Sequence, residues 1–183
     1  MPSPIGHSFL SLSIGFLIEN KYRINIKLII FIIFLGILPD LDLFPILFMG
    51  IEKGGKFHQI YTHNFLFALF ISLIISLLSK NKKYAILSFA IISSHILIDT
   101  LVTDFREPIG VPLFYPFWNR TFCLGLFPGI NKGSLSELFS LSNLKAIGIE
   151  LILFLPIFLI IVAMKRVNLK KLFFYDIFSS SKK

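Results

Sequence analysis

The chain is divided into long apolar runs, and their lengths limit its fold more than any other feature. Five runs can be read, over residues 4–18, 28–49, 64–78, 84–102 and 146–164. A helix crossing the ~30 Å hydrocarbon core of a bilayer needs about 20 apolar residues. The second, fourth and fifth runs reach that length, and the third is slightly short. The first either spans or is re-entrant. The expectation is an all-α polytopic transmembrane helical bundle with about five membrane segments, forming a single integral membrane domain over 1–183.

Composition agrees, with 55% hydrophobic residues and a mean hydropathy of +0.82. A net charge of +8 would by itself suit nucleic acid. The basic residues, however, sit between apolar runs and at the C-terminus, where membrane topology accounts for them. No nucleic-acid partner is expected. Cys123 is the only cysteine, which excludes an intramolecular disulfide and any multi-cysteine zinc or iron–sulfur site. No Lys or Arg precedes the first run, so the start does not read as a standard signal peptide.

Charge placement predicts orientation. Lys21, Arg23 and Lys27 follow the first run, and Lys80, Lys82 and Lys83 follow the third. Lys165, Arg166, Lys170, Lys171, Lys182 and Lys183 follow the fifth, forming a basic tail over 165–183. With five spans these groups of three, three and six share one side and hold twelve of the eighteen basic residues. The other six are interspersed with Glu52, Asp104, Glu107 and Glu137. The positive-inside rule then places the C-terminus in the cytoplasm and the N-terminus outside. The connection over 103–145 is long for a structureless loop and is rich in aromatic, Gly and Pro residues. It is expected outside, either as an interfacial anchor or as a lid over a site.

The polar residues inside this apolar background are few and of one chemical kind. The chain has four histidines, His7, His58, His63 and His95. Asp40, Asp42 and Asp99 lie within or at the edge of apolar runs, and Glu150 lies inside the last. A carboxylate at the bilayer centre costs about 2.5–3.5 kcal/mol on the insertion scale, so such groups face the interior and find partners. Counted from the basic end of each run, His7, Asp40, His63, His95, Asp99 and Glu150 are offset by 12 to 16 residues. At ~1.5 Å per helical residue they share a layer ~18–24 Å from that end. His95 and Asp99 are spaced i, i+4, on one helical face. Pro39 is expected to kink or end its helix just before Asp40 and Asp42. Gly36, one turn earlier, would admit a neighbouring helix. Singly, such a His is an interhelical hydrogen-bonder and such an Asp a proton-relay group. Together they point to a metal site. Imidazole and carboxylate without thiolate suit zinc, manganese or iron, with ligands enough for one to three ions.

The same residues carry a resemblance. Gly6-His7, Leu38-Pro39-Asp40-Leu41-Asp42, His58 with Thr62-His63, His95 with Asp99, and Val111-Pro112-Leu113 through Pro116-Phe117 and Arg120 resemble the YdjM-like family of predicted membrane-bound metal-dependent hydrolases. The likeness covers roughly residues 1–125. It implies a multi-span helical protein of a prokaryotic cell membrane and, by distant likeness to the zinc phospholipase C and P1 nuclease group, a metal-dependent hydrolase. The chain departs from the family pattern His-Arg-x-x-Thr-His-Ser, with Gln59 and Asn64 at the Arg and Ser positions.

The expected function is hydrolysis of a phosphoester in a lipid or lipid-linked substrate by metal-activated water. His7, Asp40, His58, His63, His95 and Asp99 are the expected ligands, and Glu150 is a further candidate. Asp42 is either a ligand or the general base. Arg120 is either a phosphate clamp or an interfacial anchor. The alternative is a non-catalytic membrane protein, a metal-ion carrier or a structural factor.

Overall fold

The computed structural model describes residues 1–20, 23–46, 48–50, 58–104, 109–131, 137 and 139–167. Most of the basic tail and parts of the 103–145 connection lie outside the described residues.

Five α-helices form among them: α1 (Pro4–Ile18), α2 (Ile26–Ile37), α3 (Phe65–Ser79), α4 (Lys82–Leu101) and α5 (Leu141–Lys165). A 3-10 helix, Leu38–Leu43, continues α2. Each α-helix starts at a Ser or Asn whose side chain accepts a backbone N–H of the first turn. These caps are Ser3, Asn25, Asn64, Asn81 and Ser140. They satisfy donors that would otherwise be left unpaired at apolar helix ends. As expected, α2 stops just before Pro39, which sits in the first turn of the 3-10 helix.

Ile26–Gly50, Lys82–Leu101 and Leu141–Lys165 are long and apolar enough to cross a membrane. The α1 and α3 helices are also apolar but have 15 residues each. The last helix begins at Leu141 rather than near 146, because Ser140 caps it there.

Despite its shortness, α1 is central and packs against α2, α4 and α5. Small residues allow this. A Cβ at Gly36 would collide with Ser11, and one at Gly15 would collide with Ile32. Gly36 therefore does admit a neighbouring helix, and that helix is α1. The α3 and α4 helices form a hairpin beside them, with Lys80 left-handed at the turn.

Phe16, Ile32, Leu35, Leu87, Ile91, Ile92 and Ile96 fill the core. The outside is also apolar: Leu78 is 81% exposed, Leu77 77% and Ile152 74%. Contiguous apolar surface of this kind is costly in water and suits lipid.

The segment after α4 folds across the end of the bundle where α4 stops and α1 and α3 start. Leu124 N–H and Leu126 N–H donate to the Thr100 and Leu101 carbonyls of α4, at 2.6 and 2.7 Å. Val111 bridges Phe122 antiparallel, and Phe65 N–H donates to Leu113 O at 3.0 Å. Far from structureless, this connection satisfies the terminal carbonyls of α4.

Candidate metal centre

The site is built outward from α4. His95 and Asp99, one turn apart, face inward and are fully buried. His95 Nδ1 lies 2.7 Å from the carbonyl of Gly36 and must carry the proton, since a carbonyl can only accept. In the neutral ring, Nε2 is then a bare lone pair. That atom lies 3.2 Å from His63 Nε2, 3.3 Å from Asp99 Oδ2 and 3.7 Å from Asp40 Oδ1.

His63 stands just before α3, and its tautomer follows from its neighbours. Thr62 donates its single hydroxyl proton to Asp42 Oδ2 at 2.6 Å. The Thr62 oxygen can therefore only accept from His63 Nδ1, 3.0 Å away. The neutral His63 ring thus also presents a bare Nε2, 3.2 Å from Asp99 Oδ2 and 3.5 Å from Asp40 Oδ1. Burial favours that neutral form. The close Asp40, Asp42 and Asp99 carboxylates outweigh it and hold the His63 pKa well above 6.5. In the absence of an ion, His63 therefore takes a proton among these carboxylates.

His7 of α1 stacks on His95, with ring centroids 3.7 Å apart, and its Nε2 is 3.5 Å from Asp99 Oδ1. Neither ring nitrogen of His7 and neither oxygen of Asp99 has a hydrogen-bond partner among the described residues, although all four atoms are buried. Leaving such groups unsatisfied is costly, and for a buried charge more so.

On the other side of His63, Asp42 Oδ1 is 2.6 Å from His58 Nδ1. Its Oδ2 accepts from Gln59 N–H at 2.8 Å as well as from Thr62. Gln59 adopts a φ of 69°, unusual for a side chain of its size. His58 Nε2 lies against the Met1 thioether, 2.7 Å away.

Three overlapping groups result: His7–His95–Asp99, Asp40–His63–His95 and Asp42–His58–His63, each with its ligand atoms within 4.8 Å of one another. Two donors about 2.1 Å from a tetrahedral ion lie ~3.4 Å apart. The separations around Asp99, His63, His95 and Asp40 run from 3.2 to 3.7 Å. The residues therefore fit a divalent metal ion, and these clusters could hold one.

All seven expected histidines and aspartates meet here. Two other sequence candidates are placed elsewhere. Glu150 receives the backbone N–H of Ser3 at 2.8 Å on one oxygen and the Ser3 hydroxyl on the other. Arg120 is exposed, with its guanidinium carbon 5.4 Å from the centroid of the Trp118 ring. Conversely, the Gly36 carbonyl, the Thr62 hydroxyl and the Gln59 N–H were not singled out as supports of the site. Only Thr62 carried a signal, through its place in the Thr62-His63 motif.

Lipid-suited helices enclosing a buried His/Asp cluster define a helical membrane protein with a candidate metal centre. The chain belongs to the YdjM inner membrane protein family, whose model matches residues 1–170. No curated protein and no solved structure is significantly similar to it.

Proposed function

We propose that the protein is a membrane-bound metal-dependent hydrolase of a phosphoester in a lipid or lipid-linked substrate. The observation that carries the reading is the set of 3.2–3.7 Å separations among imidazole nitrogens and carboxylate oxygens in a largely buried cluster. His63, His95, Asp40, Asp99 and His7 would hold one ion, and His58 with Asp42 a second. Zinc suits the donor set, with manganese or iron as alternatives. A metal ion held here would supply water activated near neutral pH and would offset charge on phosphoryl oxygens.

The chain's own groups orient that centre. Gly36 O fixes the His95 ring, and Thr62 with Asp42 fixes His63. Carboxylates that hold a ligand imidazole in this way tune its basicity and direction. Asp42, accepting on both oxygens, fits an orienting or ligating role better than that of a free general base. The family resemblance, which implies a distant likeness to the zinc phospholipase C and P1 nuclease group, points to phosphoester chemistry. In this reading all five helices lie in the bilayer. The N-terminus and the segment after α4 are outside, the C-terminus is cytoplasmic, and the site lies at the depth of the outer headgroups.

A metal carrier would need polar groups leading from the cluster to the other end. The buried Ser13, Ser72 and Ser88 instead donate to carbonyls of their own helices.

The test is elemental analysis of protein purified in mild detergent, with His95→Gln alongside, followed by assay on phospholipid-like phosphoesters before and after chelation. Stoichiometric metal lost in the variant, and activity lost on chelation and restored by zinc or manganese, are expected. Wild-type metal content in His95→Gln would remove the site. Full activity in metal-free protein would remove the mechanism.

A further inference from the structure

The helix ends opposite the candidate metal centre enclose a hollow. Tyr84 and Asp99 of α4 are 15 residues apart, so about 22 Å of helix separates this end from the cluster. A cavity of about 510 Å³ opens here between α2, α3 and the start of α4. That size falls in the range of small-molecule sites, roughly 300–1,000 Å³.

Its lining is divided by chemistry. Arg23 and Lys27 stand at its polar side, and Leu28, Phe31, Ile75 and Leu78 form an apolar wall running into the bundle. Glu19 also lines it, but its carboxylate is committed to Lys83 Nζ at 2.8 Å. The charges of Arg23 and Lys27 are therefore not cancelled from within the cavity. Leu78 is among the most exposed apolar residues, so the wall continues onto the lipid-facing surface.

We propose that this cavity binds an anionic phospholipid, with its phosphate against Arg23 and Lys27 and an acyl chain along Leu28, Phe31, Ile75 and Leu78. Charge complementarity selects the occupant. A basic cleft between membrane helices attracts acidic headgroups, and the apolar wall suits a chain that need not leave the bilayer. A free anion would have no use for that wall, and a zwitterionic lipid would bring a cation toward Arg23 and Lys27. The proposal does not depend on the metal reading.

The experiment is native mass spectrometry of the full chain in detergent, titrated in turn with dioleoyl phosphatidylglycerol, dioleoyl phosphatidylcholine and inorganic phosphate. The wild type should retain phosphatidylglycerol at least about tenfold better than phosphatidylcholine, from one screened headgroup charge. R23Q/K27Q should weaken the anionic lipid by about thirtyfold, the combined attraction of two basic residues. Each exposed single substitution should weaken it by about fivefold on the same basis. K145Q should change nothing. Metal content, measured on the same samples, should match the wild type in every variant. Equal retention of the two lipids, unchanged binding in R23Q/K27Q, or displacement of the lipid by inorganic phosphate would overturn the proposal.

Discussion

The Nε2 atoms of His63 and His95 face each other across 3.2 Å, while the other nitrogen of each ring is committed to an acceptor. Two neutral rings so placed would set lone pair against lone pair. A positive centre between them removes the conflict, and Asp99 and Asp40 beside them favour one of higher charge than a proton. The support comes from three separate parts of the chain, which makes its members testable one at a time.

Thr62→Val should leave the helices in place and weaken metal binding by about 10–100-fold, the usual cost of losing a group that orients a ligand. Valine keeps the shape but removes the donor to Asp42 and the acceptor for His63 Nδ1. Thr62→Ser should restore binding. Competition against a chelator of known affinity measures both. Unchanged affinity in Thr62→Val would mean that His63 is oriented without it.

Metal affinity should fall as the solution is acidified. The carboxylates around His63 hold a proton on its ring above pH 6.5 in the metal-free protein, and an entering ion must displace it. Binding therefore releases a proton, and apparent affinity should drop by about tenfold per pH unit below that pKa. Chelator competition between about pH 6 and 8, the range where imidazoles change charge, reads the slope. A flat profile would show that His63 is not a ligand.

Much of this arrangement was legible in the sequence, and what was missed has physical causes. Run length and hydropathy marked all five helices, because lipid imposes helix on any long apolar segment. The i, i+4 spacing put His95 and Asp99 on one face, as helical geometry requires. Counting residues along each run placed Glu150 at the depth of the cluster, but depth does not say which neighbour a side chain meets. Glu150 meets Ser3, 147 residues away in sequence. Arg120 lies where there is no helical or strand period to aim a side chain. The Gln59 N–H reaches Asp42 through a left-handed backbone that nothing about glutamine predicts.

Gly36→Ala should destabilise the protein by about 1–3 kcal/mol, the range for overpacking a close contact. Its new Cβ would meet Ser11 of α1, and the shift would also carry away the carbonyl that orients His95. Ser11→Gly in the same chain should recover part of the loss, by more than about 0.5 kcal/mol of coupling. Unfolding in mixed micelles gives both values. Simple additivity of the two substitutions would place the crossing of α1 and α2 elsewhere.

Cysteine labelling tests the proposed topology. In a Cys123→Ser background, Asn81→Cys between α3 and α4 should react with an impermeant maleimide only after the membrane is opened. Phe117→Cys, which replaces a side chain 83% exposed, should react in intact cells. The reverse pattern would invert the chain and move the candidate centre to the cytoplasmic half of the bilayer.

Glu150 separates a ligand from a neighbour at the same depth. Its carboxylate accepts the Ser3 N–H and hydroxyl, and a Cβ on Gly6 would come within 2.6 Å of it. It therefore joins α5 to the first turn of α1, one residue before His7. Glu150→Gln keeps one acceptor oxygen for Ser3 and should retain the metal that His95→Gln loses. Glu150→Ala leaves the buried Ser3 N–H without its acceptor and should lower stability by about 1–3 kcal/mol, again with metal bound. Metal per protein and the unfolding midpoint, taken on samples matched by size-exclusion profile, distinguish the outcomes. If Glu150→Gln lost its metal as completely as His95→Gln, the carboxylate would belong to the centre after all. The contact with Ser3 would then describe only the ion-free protein.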